Sequence, residues 1–113
     1  MANSFVNKKV DLTTTNATTV YTVPTATTAV IKSILISEDS GNADTITITI
    51  TDTASAVFSV FKTKAVGANA TVELLTEPLV LQESEILKVT AATANRLHVI
   101  LSALESKPRE VTT

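Results

Sequence analysis

Thr45 to Thr51 is an unbroken alternation of threonine and isoleucine, TITITIT. A period of two places Ile46, Ile48 and Ile50 on one face of an extended strand and the four threonines on the other. All seven residues are β-branched, so their stiff side chains suit a pleated surface and lose freedom in a helix. One face of this strand is therefore expected in a core and the other in water. Just upstream, VIKSILIS (Val30 to Ser37) is apolar on both faces. Simple alternation puts Ile31 and Leu35 on one face and Val30, Ile34 and Ile36 on the other, as for a strand in the interior of a sheet. Between the two strands, Glu38 to Asp44 is polar and contains Gly41 and Asn42, residues that tolerate the positive φ of a reversal. The reading is a central hairpin within an antiparallel β-sandwich.

The rest of the chain repeats this grammar. Val10 to Leu12 starts the first strand, VYTV (Val20 to Val23) is stopped by Pro24, VFSVFK (Val57 to Lys62) is followed by the Gly67-containing turn VGANA, and Thr71 to Leu75, Leu79 to Leu81, Ile86 to Thr90 and Leu97 to Leu104 complete the set. Turn signals recur about every ten residues over roughly eight strands, the spacing of a sandwich or barrel. No stretch has sustained helical periodicity. The 113 residues make one domain, and with 21 threonines against 2 glycines and 3 prolines the chain is rich in strand formers and poor in breakers. Aromatic residues are only 4%. Aliphatic side chains must then fill the core: Ile46, Ile48, Ile50, Ile34 or Ile31, Val89 and Val99, with Phe58 or Phe61 as the largest piece. The expected fold is an all-β antiparallel sandwich, jelly-roll-like, spanning residues 10–105. Residues 1–9 and 106–113, polar with a few apolar anchors, are expected to be arms that are mobile in isolation and ordered in an assembly.

Composition excludes several functions. A net charge of −2 gives no general attraction to nucleic acid or to an anionic membrane. The absence of cysteine removes disulfides, thiol catalysis and thiolate metal sites, and favours synthesis in a reducing cytoplasm. No apolar run reaches the roughly 18 residues of a membrane span, and MANSFVNKKV lacks the apolar core of a signal peptide. The expectation is a soluble, unprocessed chain.

No constellation of catalytic residues stands out. His98 is the only histidine, so neither a Ser-His-Asp triad nor a histidine-rich metal centre can be assembled. Glu38, Asp39, Asn42 and Asp44 gather enough oxygen for a calcium ion but do not follow EF-hand spacing. A solvated turn is the plainer reading. Glu83 and Glu85 lie in the polar turn Gln82 to Glu85, which does not suit paired acid/base chemistry. Asn16-Ala17-Thr18 and Asn69-Ala70-Thr71 match the glycosylation sequon, with no secretion signal beside them. Two glycines are too few for a phosphate-cradling loop. No catalytic residue, metal or cofactor is expected, and the protein is not expected to be an enzyme. The residues expected to make contact with partners are in the arms: Phe5, Val6, Lys8, Lys9, Lys107 and Arg109.

VYTVPTATTAVIKSILISEDSGNADTITITITD, Val20 to Asp52, resembles small structural proteins of tailed bacteriophages, especially marine and cyanobacterial ones. In that group a YTVP strand and turn leads to a VIKSI-type strand, an Asn-containing turn and an alternating Thr/aliphatic strand. VELLTEPLVLQESEILKVTAATANRLHVILSALE is similar to the second half of the same pattern. The likeness covers most of residues 20–105 and neither arm, and the scarcity of glycine at the turns departs from it. It implies a non-enzymatic virion protein, made in the host cytoplasm, that decorates the capsid as cement. A tail, neck or fibre component is the alternative within that class. The partners it implies are further copies of the chain, as a trimer, and the major capsid protein or tail proteins. From another class, a carbohydrate-binding sandwich would have to stack sugars on Phe5, Tyr21, Phe58 or Phe61.

Overall fold

The structure, a computed structural model, describes residues 2–107. It contains nine strands: β1 (Ala2–Asp11), β2 (Thr18–Thr22), β3 (Thr28–Glu38), β4 (Asp44–Thr51), β5 (Val57–Val66), β6 (Thr71–Glu73), β7 (Leu79–Leu81), β8 (Ile86–Ala91) and β9 (Leu97–Lys107). They form two antiparallel sheets, the arrangement that apolar faces of aliphatic strands require for mutual burial. One sheet runs β1-β9-β3, and the short strands β6 and β7 share the far edge of β3. The other runs β2-β8-β4-β5. The all-β sandwich expected from the sequence is what the chain forms.

Between the sheets lie Ile31, Ile34 and Ile36 from β3, Ile46 and Ile48 from β4, Leu87 and Val89 from β8, and Leu97, Val99 and Leu101 from β9, all fully buried. Ile50 is only half-buried, since it lies near the end of β4. As expected, β3 is interior to its sheet, with β9 on one side and β6 and β7 on the other.

Three expectations are corrected. First, β3 and β4 do not pair as a hairpin. They belong to different sheets, so Asp39 to Ala43 is an arch that crosses the sandwich. Second, the faces of β3 are not set by simple alternation. A bulge between Ile31 and Ser33 inserts Lys32 as an extra residue against β9. Bulges shift the side-chain phase by one, so Ile31 and Ile34 both point inward while Val30 and Leu35 point outward. Third, neither Phe58 nor Phe61 is the large core piece: Phe58 is 57% exposed and Phe61 half-buried, on the edge strand β5, and the large buried aromatic is Tyr21.

The N-terminal segment also differs from expectation. From Ala2 onward it is an edge strand, β1, in unbroken register with β9 from Ala2↔Lys107 to Asp11↔His98. The pairing is possible because β9 runs on to Lys107, presenting ladder groups along its whole length to a segment that has little apolar side chain to bury. At the other end, Ser106 and Lys107 still belong to β9. The remainder of the expected C-terminal arm, including Arg109, lies outside the described residues.

Candidate interaction surfaces

Glu38, at the inner end of β3, is 2% exposed although it is a carboxylate. Its oxygens are occupied by backbone donors. Oε2 accepts from the N–H of Ser40 at 2.8 Å and from the Ser40 hydroxyl, while Oε1 accepts from the N–H groups of Gly41 (3.1 Å), Asn42 (3.2 Å) and Asn69 (2.9 Å). Gly41 and Asn69 adopt positive φ, 82° and 56°, which turns their N–H groups toward the acid. Burial pushes the Glu38 carboxyl up, but the hydrogen bonds from Ser40, Asn69 and Gly41 outweigh it and hold the pKa at about 2. One side chain thus fastens both the β3–β4 arch and the β5–β6 loop.

In this turn two of the acids that a calcium ion would use are engaged with backbone donors. Donors surround Glu38 where a cation would need acceptors, and Asp44 accepts the Thr93 N–H at 3.0 Å. Among the described residues no group of three or more histidine, aspartate or glutamate side chains is placed to hold a metal ion. Other acids also serve the backbone. Glu73 binds the β3 bulge by accepting from the Ser33 hydroxyl, from Ile34 N–H (2.8 Å) and from Leu75 N–H (3.2 Å). Asp52 accepts from Ala54 and Ala56, both at 2.9 Å, and Glu85 from the Gln82 N–H at 2.7 Å. Each of these carboxylates ties down a turn or bulge by accepting nearby N–H groups.

Tyr21 is buried, so it offers no platform to a sugar. Its hydroxyl crosses from β2 to donate to Glu105 on β9, joining the two sheets. Burial raises its pKa, and the hydrogen bond and negative charge of Glu105 raise it further. Lys8 shares the inner face of β1 with Leu101's side of the ladder, and its ammonium lies 6.0 Å from the Tyr21 ring centroid. An inward-pointing lysine on an edge strand is a known guard against edge-to-edge pairing.

His98 lies on the outer face, with Nε2 3.2 Å from Asp11 Oδ1 and Nδ1 3.7 Å from Asp39 Oδ2. It lines a shallow groove with Lys9, Val10 and Ile100. All three partners are substantially solvated, and the contact ties the end of β1 to the arch.

The distinctive surface is apolar. On the outer face of the β1-β9-β3 sheet, Phe5 pairs with Leu104, Leu104 with Val30, and Val30 with Val80 of β7. Registered residues share a face, so these four make one apolar row across the sheet, with Phe5 81% and Val80 52% exposed at its ends. On the other sheet, Val57 (63% exposed) and Phe58 are consecutive on β5 and point to opposite faces, Val57 beside Thr51 and Phe58 beside Ile50. Of the contact residues expected from sequence, Phe5 joins the row, Val6 is half-buried against the core, Lys8 covers Tyr21, and Lys9 and Lys107 are exposed. Val30, Leu104 and Val80 were missed. Their signal was the apolar character of β3 and β9 on both faces.

No protein-family model matches the chain, and no curated protein does. Among solved structures, it is similar to a chain of the Bacillus endospore appendages, described as a family of disulfide-linked pili. That match has 14% identity and a TM-score of 0.49 and covers 93% of this chain and 88% of the other. It is also similar to a chain of the cyanophage Pam1 capsid asymmetric unit, at 17% identity and a TM-score of 0.42, covering 94% of this chain and 85% of the other.

Proposed function

We infer that the protein is a non-enzymatic structural component of a tailed-phage virion, and that it decorates the capsid as cement. The observation that carries this reading is the exposure of large apolar side chains on both sheets, Phe5 and Val80 on one and Val57 and Phe58 on the other. Apolar surface rimmed by polar residues marks contact sites, and apolar exposure on both sheets suits a part that is held between neighbours. The resemblance of Val20 to Asp52 to small phage structural proteins supplies the context. The mechanism is adhesion: the sandwich straddles the joint between coat subunits, and each contact resists their separation. About 800 Å² buried per partner suffices for a stable specific contact.

Purified particles test the reading. Hundreds of copies located on the head by labelling, with heat or osmotic sensitivity in particles that lack the protein, are the expected results. Tens of copies at the tail or neck would replace cement with a tail role. Absence from the particle would overturn the reading altogether.

A further inference from the structure

We propose that the outer face of the β1-β9-β3 sheet is a two-fold interface with a second copy of this chain. The proposal goes beyond the virion role and does not depend on it. Its basis is that this face is complementary to itself. The apolar row reads Phe5, Leu104, Val30, Val80 from one edge to the other. A second row, nearer the arch, reads Lys9, Ile100, Leu35, Glu73. Place a two-fold axis in the contact plane, along the strands and between β9 and β3. Phe5 then meets Val80 of the second copy, Leu104 meets its Val30, and Ile100 meets its Leu35. At the rim, Lys9 meets Glu73 of the second copy. Each pairing occurs twice, as an isologous contact requires.

The opposite charges at the two ends of the second row match only when the face is turned over onto itself, which is the argument for a copy of this chain over an unrelated partner. Between the rows, Asn7, Ser102 and Ser33 are small or uncharged. Lys32, the extra residue of the bulge, is exposed there, and its long stem can carry the ammonium to the rim. Four strand columns and the eleven-residue β9 give a face about 19 Å by roughly 35 Å. That is close to the roughly 800 Å² per partner of a stable interface.

The chain has no cysteine, so engineered thiols report cleanly. Within one chain Phe5 and Val80 are three strand spacings apart, about 14 Å, too far for a disulfide. The double variant Phe5→Cys/Val80→Cys should give a covalent dimer on a non-reducing gel, and either single variant should give far less. Sedimentation of the unmodified chain at about 100 μM should give the mass of two chains, and Phe5→Asp should weaken association about tenfold or more while leaving the far-UV spectrum unchanged. A monomer or trimer mass, a dimer indifferent to Phe5→Asp, or equal cross-linking by the single variants would overturn the proposal. Particle-bound monomer would sink this interface alone, whereas a dimer absent from particles would sink the virion role alone.

Discussion

Strands β4 and β5 lie side by side, and the difference between them shows what decides burial here. β5 opens with VFSVF, β4 has three isoleucines among threonines, yet Ile46 and Ile48 are fully buried while Val57 and Phe58 are mostly exposed. Hydrophobicity does not account for this. β4 has β8 on one side and β5 on the other, whereas β5 has a neighbour only on its β4 side, in a register broken between Ile46 and Ile48 and again between Ile48 and Thr49. A central strand has its inner face covered whatever its composition. An edge strand keeps its side chains partly in water, and the residues it exposes are free to meet another molecule.

The contrast can be tested directly. Replacing Ile48 with Ala should cost about 2 to 5 kcal/mol in denaturant unfolding, as for a fully buried aliphatic side chain; a loss below about 1 kcal/mol would mean that β4 is not central. The arch that delivers β4 to its sheet depends on ionised Glu38. With a folded-state pKa near 2 against an ordinary 4.5, its contribution is fully present above pH 4.5 and is lost as pH falls from 4.5 toward 2. Glu38→Gln should lower the melting temperature at pH 7 and flatten that part of the stability–pH curve. Tyr21→Phe removes the hydrogen bond between the sheets and should cost about 1 to 3 kcal/mol, measured by the same unfolding curve. Phe58→Ser on β5 should change stability by no more than about 0.5 kcal/mol but weaken attachment to particles, and a large loss of stability would place Phe58 in the core after all.

The alternation in Thr45 to Thr51 was enough to identify β4 and its buried face, because period two is a local property of the chain. Sandwich class and strand positions followed from the same kind of local signal. The error over β3 and β4 came from a group whose role is not local: Glu38 looked like part of a solvated turn, and only the approach of Asn69 from another loop shows why it is buried. The bulge at Lys32 was equally invisible, since it depends on Glu73, forty residues away from Ser33. Phe5 was singled out as a contact residue from its polar surroundings. The row it belongs to needed the registers of four strands, and no single segment contains them.

The Glu38 arch also bears on the order of events in folding. Three of its donors, Ser40, Gly41 and Asn42, are two to four residues away along the chain, and the fourth is 31 away. By contrast, β3 meets β9 through pairs such as Ile36↔Val99, and β1 meets β9 across nearly the whole chain. Loop closure becomes slower and more costly with separation, so the arch can close first and hold β3 and β4 at the spacing of two sheets before their distant partners arrive. On this account Glu38→Gln slows refolding as well as speeding unfolding, whereas shortening β1 affects unfolding alone; equal refolding rates for Glu38→Gln and the parent chain would remove the arch from the early steps.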